Sequence, residues 1–124
     1  MEAKKVMLYT ELEVGGEIFK LRLNTKNSLA LERTLGYNPI SMLMEIDRGK
    51  MPKLADIIAI LHATLQPYHH GYSMDKVYDL FDKYAEEGKS MFDLIPVFVE
   101  VFENSGYITK TDKEETTEAE EIKN

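Results

Sequence analysis

The chain has 124 residues, 44% of them hydrophobic and 30% charged, with no cysteine and a formal net charge of −7 at neutral pH. That length suits one ordinary core and not two, and the missing cysteines exclude disulfides and thiolate metal sites and fit a reducing compartment, so a cytoplasmic location is expected. The acidic balance opposes nucleic acid as a partner, because phosphate binding is driven by Lys and Arg displacing counterions.

Met1-Glu-Ala-Lys-Lys5 is followed by an apolar run of only Val6 to Tyr9, shorter than a secretory core, so no export signal is expected. From Val6 to Leu23 polar and apolar residues nearly alternate around Gly15-Gly16, with Leu12, Val14, Ile18, Leu21 and Leu23 set against Glu17, Lys20 and Arg22. This predicts a β-hairpin over 6–23 with a primed turn, whose apolar face must rest on helices because a lone hairpin is marginal in water.

Asn24 or Thr25 caps a first helix that carries Leu29, Leu31 and Leu35 to Gly36. Asn38-Pro39 opens a second, where a proline at the first helical position sacrifices no hydrogen bond; it ends near Gly49, and Ile40, Leu43, Met44 and Ile46 are its expected buried residues. A third begins at Pro52 and runs through Leu54, Ile57, Ile58, Leu61 and Leu65, and Pro67 is expected to stop it by turning Gln66 out of helical geometry. Tyr68-His-His-Gly71 reads as an exposed loop. Ser73 caps a fourth helix with Met74, Val77, Tyr78, Phe81, Tyr84 and Ala85 on one face and Asp75, Asp79, Asp82, Lys83 and Glu86 opposite.

Ser90 and Asp93 resemble a capping box for a fifth helix, in which Pro96 falls past the first turn and should introduce a kink before the stop at Gly106. Beyond Thr109, Asp112, Glu114, Glu115, Glu118, Glu120 and Glu121 leave too little apolar surface to offset chain ordering, so 109–124 is expected to be a disordered acidic tail. The fold class is therefore mainly α: a hairpin packed on a bundle of about five helices, within one globular domain spanning 1–108.

No pattern for chemistry emerges. His62, His69 and His70 lack a carboxylate at matching spacing, so no metal site or cofactor is expected. The acidic helix junctions at Asp47 and Asp82 lack the alternating ligands of a calcium loop, and the serines fall mostly at caps and helix ends. The longest apolar stretches, near Ile57–Leu65 and Leu94–Phe102, reach about half a membrane span and are broken by polar residues. The fifth helix stands out, because Met91, Phe92, Ile95, Phe98, Val99 and Phe102 belong to an apolar set wider than a surface helix needs. Either it is the central helix of the fold or one side is left for a partner; these six residues are the candidate contact.

Phe19-Lys-Leu-Arg-Leu-Asn24 followed by Leu29-Ala-Leu-Glu-Arg-Thr-Leu-Gly36, then Gly49 through Leu65, Ser73-Met-Asp75 and Leu80 through Gly88, resembles the order of helices and glycine stops in tail assembly chaperones of long-tailed bacteriophages. The resemblance covers about Phe19 to Tyr107 and rests on hydrophobic spacing, with no reactive residue to carry over. It implies a non-enzymatic protein of the host cytoplasm that binds the tape measure protein, with the tail tube protein as a further partner, keeps it soluble during tail assembly and is absent from the virion. A tail completion or connector subunit that stays in the particle is the alternative, and a small-metabolite enzyme a more distant one. Self-association through the hairpin's edge strand is left open.

Overall fold

The computed structural model describes residues 8–109. The start of the expected hairpin at Val6 and Met7, and all of the expected tail after Thr109, lie outside the described residues. Within them, β1 (Thr10–Val14) and β2 (Glu17–Leu21) are followed by α1 (Thr25–Leu35), α2 (Pro39–Asp47), α3 (Leu54–Leu65), α4 (Met74–Glu86) and α5 (Met91–Ser105). The expected hairpin on five helices is thus the architecture of the described residues.

The strands pair antiparallel with Leu12 opposite Phe19 and Val14 opposite Glu17, and Gly15 and Gly16 take φ of 61° and 78°, the doubly positive pair that a type I′ turn requires. Thr10, Leu12, Val14, Phe19 and Leu21 turn inward and are buried. Ile18, expected among the inward residues, is 55% exposed. Side chains alternate along a strand, so Ile18 cannot share a face with Leu21, and the register sends Phe19 inward in its place.

Side chains close the helix starts where the sequence indicates. Asn24 accepts from the Asn27 amide at 2.8 Å, Asn38 from Ile40 at 2.9 Å and Ser73 from Lys76 at 3.2 Å. At α5 the capping box is complete, with the Ser90 amide donating to the Asp93 carboxylate at 2.7 Å. Pro96 is accommodated inside α5, which runs on to Ser105.

Three expectations change. Helix α3 starts at Leu54 rather than Pro52, with Lys53 as its cap residue. Gln66, expected to leave helical geometry ahead of Pro67, remains right-handed helical at φ −59° and ψ −42°. Its side-chain amide donates to the carbonyls of His62 and Tyr72, both at 2.9 Å, and this anchoring outweighs the local bias against helix before proline. In α2 the buried residues are Pro39 and Met42, while Met44 is 53% exposed, because α2 turns its Met42 side to the core.

The central position belongs to α3 and not to α5. Helix α3 packs against α1, α4, α5 and β2, and buries Ile57, Ile58, Ile60, Leu61, Ala63, Thr64 and Leu65. Its one buried hydroxyl, on Thr64, donates to the Leu61 carbonyl at 2.8 Å, and the Thr64 carbonyl accepts from the Arg22 amide, tying the helix to the end of the hairpin. Helix α5 covers one side of this hub and β1, burying Leu94, Phe98, Val101 and Phe102 at helical spacing. Among the described residues no helix is long and apolar enough to cross a membrane.

Candidate partner-binding surface

The six residues singled out on α5 do not form one surface. Phe98 and Phe102 are fully buried, Met91, Ile95 and Val99 are half-buried, and Phe92 alone stands out, at 44% exposed. The breadth of apolar character on α5 is met by the core on one side and by scattered partial exposure on the other. In this fold, contact by a partner at Phe98 or Phe102 would require α5 to leave its place.

Exposed apolar side chains gather elsewhere. Between α3 and α4 an open groove of about 440 Å³ is lined by Leu54, Ala55, Ile58, Met74, Tyr78, Phe81 and Asp82. A neighbouring hollow of about 360 Å³, formed by α2 and the segment leading into α3, is lined by Tyr37, Ser41, Met42, Glu45, Lys50, Met51, Pro52, Lys53 and Asp56. The two adjoin in sequence at Lys53–Leu54, with Met51 at 69% and Leu54 at 49% exposed. Of the methionines at 42, 44, 51, 74 and 91, Met42 is buried, Met74 and Met91 are half-buried, and Met44 and Met51 are exposed.

The hollow beside α2 is edged by polar contacts. The Tyr37 hydroxyl donates to Asp56 at 2.7 Å, and burial together with this hydrogen bond pushes the phenol up to about 12. Glu45 pairs with Lys50 at 2.9 Å and Arg48 at 3.3 Å, and Lys50 in particular lowers its carboxyl below the usual value. These ion pairs are surface-exposed and contribute little to stability.

A third depression, of about 650 Å³, lies between the hairpin turn and α4 and is polar, with Lys76 and Lys83 interleaved with Glu17, Asp79, Asp82 and Glu86. The Gly15 amide donates to the Glu87 carboxylate, which fastens the turn to the end of α4. Four carboxylates against two lysines leave the depression net acidic, and the interleaved lysines offset about half of that charge.

The histidines have separate settings. His69, expected in an exposed turn, is half-buried; its Nε2 accepts from the Lys20 amide at 3.2 Å and its ring lies 5.5 Å from that of Phe19. His62 is half-buried beside α1, and His70 is exposed. Among the described residues no three His, Asp or Glu side chains are grouped so as to hold a metal ion.

Sequence reasoning missed Leu54 and Tyr78 as candidate contacts. A signal was present in α4, whose apolar set of Met74, Val77, Tyr78, Phe81, Tyr84 and Ala85 is rotated away from the stripe of Val77, Leu80 and Tyr84 that is buried. The apolar excess on one flank of that stripe is what lines the groove.

Among the described residues, a hairpin, five helices and open apolar grooves define a small, mainly helical fold on a chain of net charge −7. The chain belongs to a family of unknown function, DUF6096, which matches residues 3–123. No curated protein and no solved structure matches it.

Proposed function

We propose that this chain is a tail assembly chaperone of a long-tailed bacteriophage, which binds the tape measure protein in the host cytoplasm, keeps it soluble while the tail is built, and leaves before the particle is complete. The observation that carries this reading is the combination of large exposed apolar side chains, Met51, Leu54, Tyr78 and Phe92 among them, with a net charge of −7. Apolar surface supplies attraction to an aggregation-prone chain, and excess charge of one sign keeps the resulting complex apart from its neighbours. The order of hairpin and helices, with Gly36, Gly49, Gly88 and Gly106 at or just past helix ends, agrees with the spacing on which the resemblance rests.

Coexpression with the tape measure protein of the same phage tests the reading. Copurification and a gain in the soluble fraction of the tape measure protein are expected, with the chain missing from purified virions by mass spectrometry. A tape measure protein that stays insoluble and unbound would overturn the proposal, and stoichiometric retention in the virion would replace it with a structural role.

A further inference from the structure

Between α3 and α4 the chain leaves apolar side chains facing water from two directions. Leu54 and Tyr78, each about half exposed, stand on opposite walls, Met74 and Phe81 are half-buried on the α4 side, and Ile58 is buried at the base. Asp82 is the one charged side chain lining this groove. The helical period places Asp75 one turn before Tyr78 and Asp82 one turn after it, and turns Lys76 and Lys83 toward the hairpin, where they line the polar depression. The edge of the groove along α4 is therefore acidic, and Asp82, which also lines the polar depression beside Lys83, stands on the ridge between the two.

We propose that this groove is the docking site for an amphipathic helix of a partner protein, one that inserts apolar side chains spaced i and i+3 or i+4 between α3 and α4 and sets Lys or Arg against Asp75 and Asp82. The inference rests on the reading of the chain as a chaperone for a helical client, and adds to it the surface used and the charge pattern required. Two helical walls with an apolar floor form the surface on which an amphipathic helix buries its face, and methionine adapts to more than one apolar shape. A second copy of the chain is the poorer occupant, because a net charge of −7 on each copy opposes approach to an acidic rim.

The test is an NMR titration of the isotope-labelled full chain with a synthetic amphipathic peptide of Leu and Lys, and with its Leu and Glu counterpart. Chemical-shift changes are expected to concentrate on 54–58 and 74–82 with the Leu/Lys peptide and to be weak with the other. Tyr78→Asp should bind about tenfold more weakly, as truncating a central contact does. Asp82→Lys, at an exposed position, should weaken the Leu/Lys peptide and strengthen the Leu/Glu peptide, and it decides the matter if Tyr78→Asp fails to fold. Absence of binding, equal binding of both peptides, shifts centred on Phe92 or Ile18, or concentration-dependent shifts in this groove without peptide would overturn the proposal. Coexpression separates it from the chaperone reading. If Tyr78→Asp is folded and still copurifies the tape measure protein at wild-type yield, the groove is wrong and the chaperone role stands; if the wild type binds the Leu/Lys peptide here but no tape measure protein, the reverse holds.

Discussion

Two tyrosines fasten distant parts of the chain through carboxylates. Tyr37 donates to Asp56 on α3, and Tyr107, just past α5, donates to Glu32 on α1 at 2.8 Å. Burial first, and then the hydrogen bond to the carboxylate, pushes each phenol up to about 12. A pKa raised in the folded state means that the fold holds the neutral phenol, so the stability it contributes is complete below the ordinary value near 10 and is lost as pH rises from there through about 12. Thermal midpoints measured across that window should fall, and should fall less steeply in Tyr37→Phe and Tyr107→Phe. At neutral pH each replacement should cost about 1–2 kcal/mol for the lost hydrogen bond. An alkaline slope identical in wild type and both variants would show that these phenols are not what the window reports. Neither pair was legible in the sequence, since partners 19 and 75 residues apart are joined only by packing. The Gly15-Gly16 turn was legible, because doubly positive φ is a local demand. Gly15→Ala should destabilise by about 1–2 kcal/mol from the left-handed backbone alone, and its new methyl would also crowd the Lys83 side chain, with carbon atoms at 2.8 and 2.9 Å. Urea denaturation checks this, and an unchanged midpoint would contradict the turn geometry.

Helix boundaries were mostly readable because caps are local: Asn24, Asn38, Ser73 and Ser90 each do what short polar side chains do beside free amide groups. What failed was the ranking of helices. The apolar breadth of α5 suggested a hub, but the position between hairpin and helices fell to α3, which carries His62 and Thr64 among its apolar residues. Thr64 satisfies its own hydroxyl on Leu61, so a polar residue costs little at the centre. Burial now separates residues that composition placed together on α5. Phe98→Ala should cost about 3–5 kcal/mol by cavity formation, and Phe92→Ala less than about 1 kcal/mol as a surface change. Chemical denaturation of the two variants measures the contrast, and comparable losses would contradict the orientation of α5. Ser90→Ala should cost about 1 kcal/mol through loss of the capping box.

At the scale of the molecule, hairpin, helix count and element order follow from period and punctuation, whereas the open groove does not. It forms where α3 and α4, adjacent in sequence, leave Leu54 and Tyr78 half exposed beside one another, and how two helices pack is set by contacts that no single stretch encodes. The acidic balance was visible throughout, but its distribution was not: Lys76 and Lys83 face the hairpin, which leaves the groove's α4 edge to Asp75 and Asp82. Binding of an apolar, helical client by this face is the central claim, and hydrogen–deuterium exchange of the full chain, alone and in its copurified complex with the tape measure protein, tests it most directly. The expected result is slowed exchange in the first turns of α3 and along α4, with α5 around Phe98 and Phe102 unchanged. Protection confined to α5 or to the hairpin, with α3 and α4 exchanging as in the free chain, would contradict it.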